Sequence, residues 1–290
     1  MKSRALGGFM AFSPSAQRQN AQAALARCLV FRNNLRMMNL LRILSIALFT
    51  SMLTLPLRAE QVTIFAASSL KTALDRVIER NALDVVAVYG GSATMARQVA
   101  QGAQADIIIL AHPIWMDWLE RQSALTSASR CNLLGNALVL AGGHTKAPFE
   151  PETAQDVIEN LKDGRLAVGE LRSVPAGQYT AEYLKNIGWL EQLRPHLAQT
   201  SNVRLALALI ARGETELGFV YASDVHADPD VQTVFTPSPS KYPKIRYPMA
   251  LTVSVSEGGR SIATTLTGEI ATFAEFGFAA IPADEAGRCS

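Results

Sequence analysis

Residues 62–111 read VTIFAASSLKTALDRVIERNALDVVAVYGGSATMARQVAQGAQADIIILA. Within them the apolar residues switch repeatedly between a continuous run and a helical spacing. Val62–Ala66 is a short unbroken apolar run, as in a buried strand. Leu70, Ala73, Leu74, Val77 and Ile78 then follow at i, i+3, i+4, i+7 and i+8, one face of a helix. Asp84–Tyr89 is a second strand, and Met95, Ala96, Val99 and Ala100 mark a second helix. Asp106–Ala111 is a third strand, apolar on both faces, as in a parallel sheet covered by helices. The segment is a βαβαβ unit, for which crossovers are right-handed.

The alternation continues outward. Asn136–Ala141 reads as a strand ended by Gly142-Gly143, and Leu166–Gly169 as a short one. Helical spacing runs from Gln178 to Ile187 and again through Val203, Ala206, Leu207 and Ile210. Leu217–Tyr221 and Tyr247–Val255 are further strands. A last helix is expected over Ser261–Phe276, stopped by Gly277. Two α/β lobes fit better than one sheet. The chain leaves the first near Ala137 and returns near Arg246, giving residues 60–136 plus 247–290 for lobe 1 and 137–246 for lobe 2. Two crossings make a hinge, and a hinged pair of lobes has a cleft.

The N-terminal part is different. Residues 1–59 carry eight basic side chains and no acid, which leaves 19 basic against 25 acidic residues from Glu60 onward, a formal charge of −6. The basic balance of the whole chain therefore belongs to its N-terminus and gives no footprint for nucleic acid on the folded body. ILSIALFTSMLTLPL (43–57) follows Arg42, and its last residue opens Leu57-Arg58-Ala59. It reads as a secretory signal peptide cleaved near Ala59, because the apolar core is short for a bilayer of roughly 30 Å. Residues 1–36 stand oddly in front of it, and Met37 or Met38 would make a better start. Of the cysteines beyond the cleavage point, Cys131 and Cys289, the second is penultimate. An exported compartment permits a disulfide, but two unpaired thiols are the preferred reading.

The chemistry lies where strands end. Ser68-Ser69 follows the first strand, and Gly90-Gly91-Ser92-Ala93-Thr94 follows the second. Pro175-Ala176-Gly177 and Ser201-Asn202-Val203 open two helices of the second lobe, and Tyr221 closes the strand LGFV. Open α/β sheets bind ligands at such carboxyl ends. A helix N-terminus offers unpaired N–H groups and about half a positive charge, so several together form an anion site without Lys or Arg. Each piece alone is an ordinary cap or turn. The combination indicates a binder of a small anion or polar solute.

These stretches carry a family resemblance. FAASSL (65–70), GSATMARQ (91–98), ADIIILAHPIWMDWL (105–119), LLGNALVL (133–140), GRLAVGE (164–170), VPAGQY (174–179), NVRLALAL (202–209), LGFVYASD (217–224) and YPMAL (247–251) together resemble the periplasmic molybdate-binding proteins of ABC transporters. The resemblance implies a two-lobed, type II periplasmic-binding-protein fold, each lobe a mostly parallel sheet flanked by helices. It implies capture of molybdate, and of tungstate, as an intact oxyanion with no direct metal ligand, no cofactor and no catalysis. The implied partner is a membrane permease; no nucleic acid is involved and the protein is a monomer. By position, the oxyanion contacts fall on Ser69 and Ser92 through hydroxyl and N–H, on Ala176 and Val203 through N–H, and on the Tyr221 phenol. Ser68 stands where Ala is more usual. Gly90-Gly91 replaces a pair that often contains Ser, and Gly91 is expected to loosen its helix start by about 1 kcal/mol.

Rival readings are weaker. Ser68-Ser69-Leu70-Lys71 spells the S-x-x-K of serine acyl enzymes, but S-D-N and K-T-G are missing. His112, His144, His196 and His226 are scattered without metal-ligand spacing, and Asp224 and Asp228 read as solvated loop carboxylates. A regulator's effector domain would need a helix-turn-helix partner. Sulfate remains the alternative solute, since it differs from molybdate mainly in size.

Overall fold

The computed structural model describes residues 61–287. The N-terminal extension, the signal sequence with its cleavage point, and Cys289 lie outside them. Among the described residues no helix is long and apolar enough to cross a membrane.

The strands are β1 (Val62–Ala67), β2 (Val85–Gly90), β3 (Ile107–Ile109), β4 (Cys131–Asn136), β5 (Leu138–Gly143), β6 (Leu166–Gly169), β7 (Leu197–Thr200), β8 (Leu217–Tyr221), β9 (Val231–Phe235) and β10 (Ile245–Leu251). The helices are α1 (Lys71–Arg80, entered through a 3₁₀ turn at Ser68–Leu70), α2 (Ser92–Ala100), α3 (Pro113–Arg121), α4 (Ala154–Asn160), α5 (Pro175–Asn186), α6 (Leu190–Leu193), α7 (Val203–Ala211), α8 (Ala222–His226), α9 (Glu257–Gly268), α10 (Ile270–Ala274) and α11 (Ala283–Ala286).

They form two five-stranded sheets, ordered β2-β1-β3-β10-β4 and β7-β6-β8-β5-β9. In each sheet four strands share a direction and one, β10 or β5, runs against both its neighbours. The reversed strands are the two that enter from the other lobe. A strand that leaves one lobe at the cleft must start its next strand at the cleft, so it opposes strands whose carboxyl ends face that cleft.

Burial follows the strand period. Ile107 and Ile109 pack with Ile64, Leu70, Leu74 and Val77 on one face of the first sheet, whereas Ile108 and Phe65 pack with Met95, Met116 and Leu119 on the other. Covering both faces is why this strand is an unbroken apolar run. Each such isoleucine contributes about 1.5–3 kcal/mol of burial.

Three expectations need correction. The return strand starts at Ile245 and stops at Leu251, not at Tyr247 and Val255, and Ile245 and Arg246 pair with Asn136 and Gly135 of the first sheet. Pro248 offers no N–H, and the ladder to β4 shifts register there instead of ending. The last long helix is two. Ser256 caps α9 by accepting the Gly259 N–H at 3.1 Å, and Glu269 opens α10 with its carboxylate on Thr272 and Asn81. Finally, Cys131 is disulfide-bonded rather than unpaired, its partner lying outside the described residues.

Candidate functional site: a neutral pocket between the lobes

Four helix starts meet where the two sheets face each other: the turn into α1, then α2, α5 and α7. None has an acidic residue in its first turn, whereas α4, α8, α9 and α11 all do. The first group leaves its positive dipole ends uncompensated, and an anion is what they lack. Local packing brings them close. A Cβ on Gly177 would stand 2.2 Å from the carbonyl oxygen of Gly169, so only glycine lets the first turn of α5 rest on the end of β6.

Ser69, Ser92, Ala176, Val203 and Tyr221 all line one pocket, together with Ser68, Gly91, Pro175, Asn202 and their neighbours. No Lys, Arg, His, Asp or Glu is among the lining residues. Two of the five residues come from the first lobe and three from the second.

Hydrogen-bond polarity makes the hydroxyls donors. Asn136 accepts the Ala137 N–H on Oδ1 at 2.9 Å, so its Nδ2 must face Tyr247, 3.2 Å away. The buried Tyr247 hydroxyl has Ser69 Oγ, 2.8 Å away, as its one acceptor in reach among the described residues, so its O–H is assigned to that bond. Ser69 then has its hydrogen left for the pocket. Ser92 is set likewise, its Oγ accepting the Ala111 N–H at 3.0 Å. The Tyr221 hydroxyl is buried with no partner in the protein. Burial first, and then nearby Tyr247, Tyr179 and Asp224, raise its pKa well above the ordinary value, so it remains a phenol that donates.

The lobes touch around this pocket. His112, after β3, stacks on Tyr179 of α5 with ring centroids 4.7 Å apart. A Cβ on Gly91 would come within 2.6 Å of the carbonyl oxygen of Ser201 in the other lobe. Gly91 has φ −65° and ψ 136°, open to any residue, so its glycine serves this approach rather than loosening the helix start.

Asp224 overturns its reading as a solvated loop residue. It lies in α8, is fully buried, accepts the Tyr221 N–H at 3.1 Å, and faces Arg204 Nε at 2.8 Å. Burial pushes its carboxyl up to about 6 against the pull of Arg204. An aspartate three residues after a strand end, where its carboxylate can accept the N–H that opens a helix, was the available signal. Asn136, Tyr247 and Arg204 had none. Lys71, of the S-x-x-K reading, pairs with Asp75 at 2.7 Å and lies over the Tyr89 ring.

The burial of His112 at the lobe contact predicts that closure is sensitive to acid. Burial lowers its pKa from 6.5 to about 4, only partly offset by Asp117, and its Nδ1 caps α3 by accepting the Ile114 N–H at 3.1 Å. A base depressed in the closed form contributes fully above about pH 6.5 and loses that contribution as pH falls through about 4. Solute affinity should therefore weaken between pH 7.5 and 5. His112→Asn, which retains a capping side chain, should flatten that profile in titration calorimetry. An unchanged slope would remove His112 from closure.

Two hinged α/β lobes sharing one small pocket at their strand ends define a two-lobed solute-binding protein. The chain belongs to the bacterial extracellular solute-binding protein family, whose model matches residues 62–277. It is 39% identical to the molybdate-binding protein ModA of Escherichia coli strain K12 over 199 residues, 66% of this chain and 77% of that protein. Among solved structures, the periplasmic molybdate-binding protein of Azotobacter vinelandii superposes with a TM-score of 0.65 at 18% identity, covering 76% of this chain and 99% of that one. The sulfate-binding protein SubI of Mycobacterium tuberculosis H37Rv does so with a TM-score of 0.62 at 18% identity, covering 78% and 88%. At such identities these two establish the fold and leave the solute open.

Proposed function

We propose that this protein captures molybdate, and tungstate with it, for an ABC importer, and that Ser69, Ser92, Ala176, Val203 and Tyr221 hold the oxyanion. The observation that carries the reading is the pocket's chemistry: four uncompensated helix starts, hydroxyls set as donors, and a buried phenol without a partner, with no charged residue in the lining. The 39% identity to a molybdate-binding protein supports the choice of solute. Bound oxyanion joins donors from both lobes and so favours the closed form, which a membrane permease would recognise. The remaining parts of the reading are export with cleavage near Ala59, a periplasmic location and a monomer without nucleic-acid partners. Mass spectrometry of the secreted protein tests the cleavage.

A fully deprotonated oxyanion suits this pocket. The hydroxyls of Ser69 and Ser92 each already accept one internal hydrogen bond, and no carboxylate or imidazole lines the site. Hydrogen phosphate would bring a proton with no acceptor, an unsatisfied buried donor costing about 1–3 kcal/mol. Sulfate is the second reading, because it too is deprotonated and a sulfate-binding protein shares the fold. Titration calorimetry with molybdate, tungstate, sulfate and phosphate at matched salt separates these. Tight one-to-one binding of the first two alone supports the proposal. Preferential sulfate binding reassigns the solute, and silence from all four sinks the oxyanion reading.

Ser92→Ala should lower molybdate affinity by roughly 1.5–3 kcal/mol, as for a lost hydrogen bond to a charged group. It should also lower stability by about 1–3 kcal/mol, because the buried Ala111 N–H loses its acceptor. Calorimetry and urea unfolding measure the two separately. Unchanged affinity would place Ser92 outside the contacts.

A further inference from the structure

Arg204 lies in the first turn of α7, beside the pocket-lining Val203, and reaches out of its own lobe. Its Nη2 donates to the carbonyl oxygen of Ser69 at 2.9 Å, across the cleft. Its Nε stands 2.8 Å from Oδ1 of the fully buried Asp224. The other oxygen of Asp224 accepts the Tyr221 N–H at 3.1 Å. One guanidinium thus ties the segment of the first lobe that bears Ser69 to the segments of the second that bear Val203 and Tyr221.

The hydrogen bond to Ser69 and the ion pair with Asp224 differ in what they require. The pair with Asp224 lies within the second lobe and persists when the lobes part. The bond to Ser69 exists only when they meet. Attraction of an anion does not account for Arg204, because Asp224 neutralises it and the guanidinium is absent from the pocket lining. What remains is a directed donor, held in place by a buried carboxylate and aimed at a carbonyl of the opposite lobe. The extended guanidinium faces the carboxylate with one nitrogen and donates to the carbonyl with another, which a lysine ammonium does not reproduce.

We propose that Arg204, oriented by Asp224, is an interlobe latch: a positioning residue that holds the cleft shut around its solute and slows the solute's release. This deepens the reading of the cleft as the oxyanion site and rests on it for the identity of the ligand. The latch adds a closing contact that the anion does not itself make, so it also raises the closed population of the ligand-free protein.

The test uses two variants. Arg204→Lys keeps a positive charge beside Asp224 but loses the fork. The double variant Arg204→Gln/Asp224→Asn removes both charges, so no buried carboxylate is left unpaired. Rapid filtration with radiolabelled molybdate gives dissociation and association rates. A pair of spin labels, one on each lobe, gives the interlobe distance without ligand. Dissociation should accelerate about tenfold or more in both variants, as for one lost charge-assisted hydrogen bond. Association should stay within about threefold, and the ligand-free distances should shift toward the open form. A lysine variant with parental thermal stability but fast release separates the latch from a merely structural role. Unchanged dissociation and unchanged distances in folded variants would overturn the proposal. If the parent protein binds no oxyanion, the solute assignment fails, while the ligand-free distances still decide the latch.

Discussion

Gly91→Ala should weaken molybdate binding by about 100-fold or more while leaving the melting temperature within a few degrees of the parent. The added methyl carbon would stand 2.6 Å from the Ser201 carbonyl oxygen, and backbone on both sides leaves no flexible side chain to yield. The lobes must then stop short of contact. Donors from the second lobe, Ala176, Val203 and Tyr221, would no longer reach an anion seated on the first. Each hydrogen bond to a charged group is worth about 1.5–3 kcal/mol, so the loss of even two accounts for a 100-fold effect. Stability should hardly change, because φ −65° and ψ 136° suit alanine as well as glycine. Calorimetry and thermal melting without ligand check both halves. Parental affinity in Gly91→Ala would mean that the solute is held without this closure.

Tyr221→Phe should act in opposite directions on binding and on stability. The phenol oxygen is buried without a partner in the protein, so its burial costs free energy until a ligand accepts its hydrogen. Removing it should weaken molybdate binding by about 10- to 150-fold, the equivalent of 1.5–3 kcal/mol. The ligand-free protein should be as stable as the parent or more so, since the ring keeps its packing against Tyr247 at a centroid distance of 6.0 Å. The Tyr221 backbone N–H keeps its bond to Asp224 in either case. A variant that loses stability without ligand and binds molybdate normally would make Tyr221 a core residue and no contact.

The contrast between these two residues shows what the chain order reveals. Tyr221 ends an apolar strand and opens a short helix, a local pattern visible in LGFVYASD. Gly91 also ends a strand, but nothing local explains why it is glycine; the reason lies in Ser201, more than a hundred positions away. The same holds for the carboxylate read as solvated. Asp224 became buried because Arg204, on another helix, supplies its counter-charge. The helix expected over Ser261–Phe276 is interrupted at Glu269, whose carboxylate meets Asn81, 188 positions away in sequence.

The sequence by itself determined the two-lobed α/β class and the positions that face the cleft. Strand, turn and helix N-terminus are consecutive in the chain, so hydrophobic period and small residues place them without knowledge of the rest. Only the tertiary structure decided the polarity of the Ser69 hydroxyl, the need for Gly91 and the reach of Arg204. Those rest on contacts such as Ser69 to Tyr247 and Arg204 to Ser69, separated by 178 and 135 positions. Hydrogen-bond direction and close approach depend on which distant groups meet, and no local period encodes that.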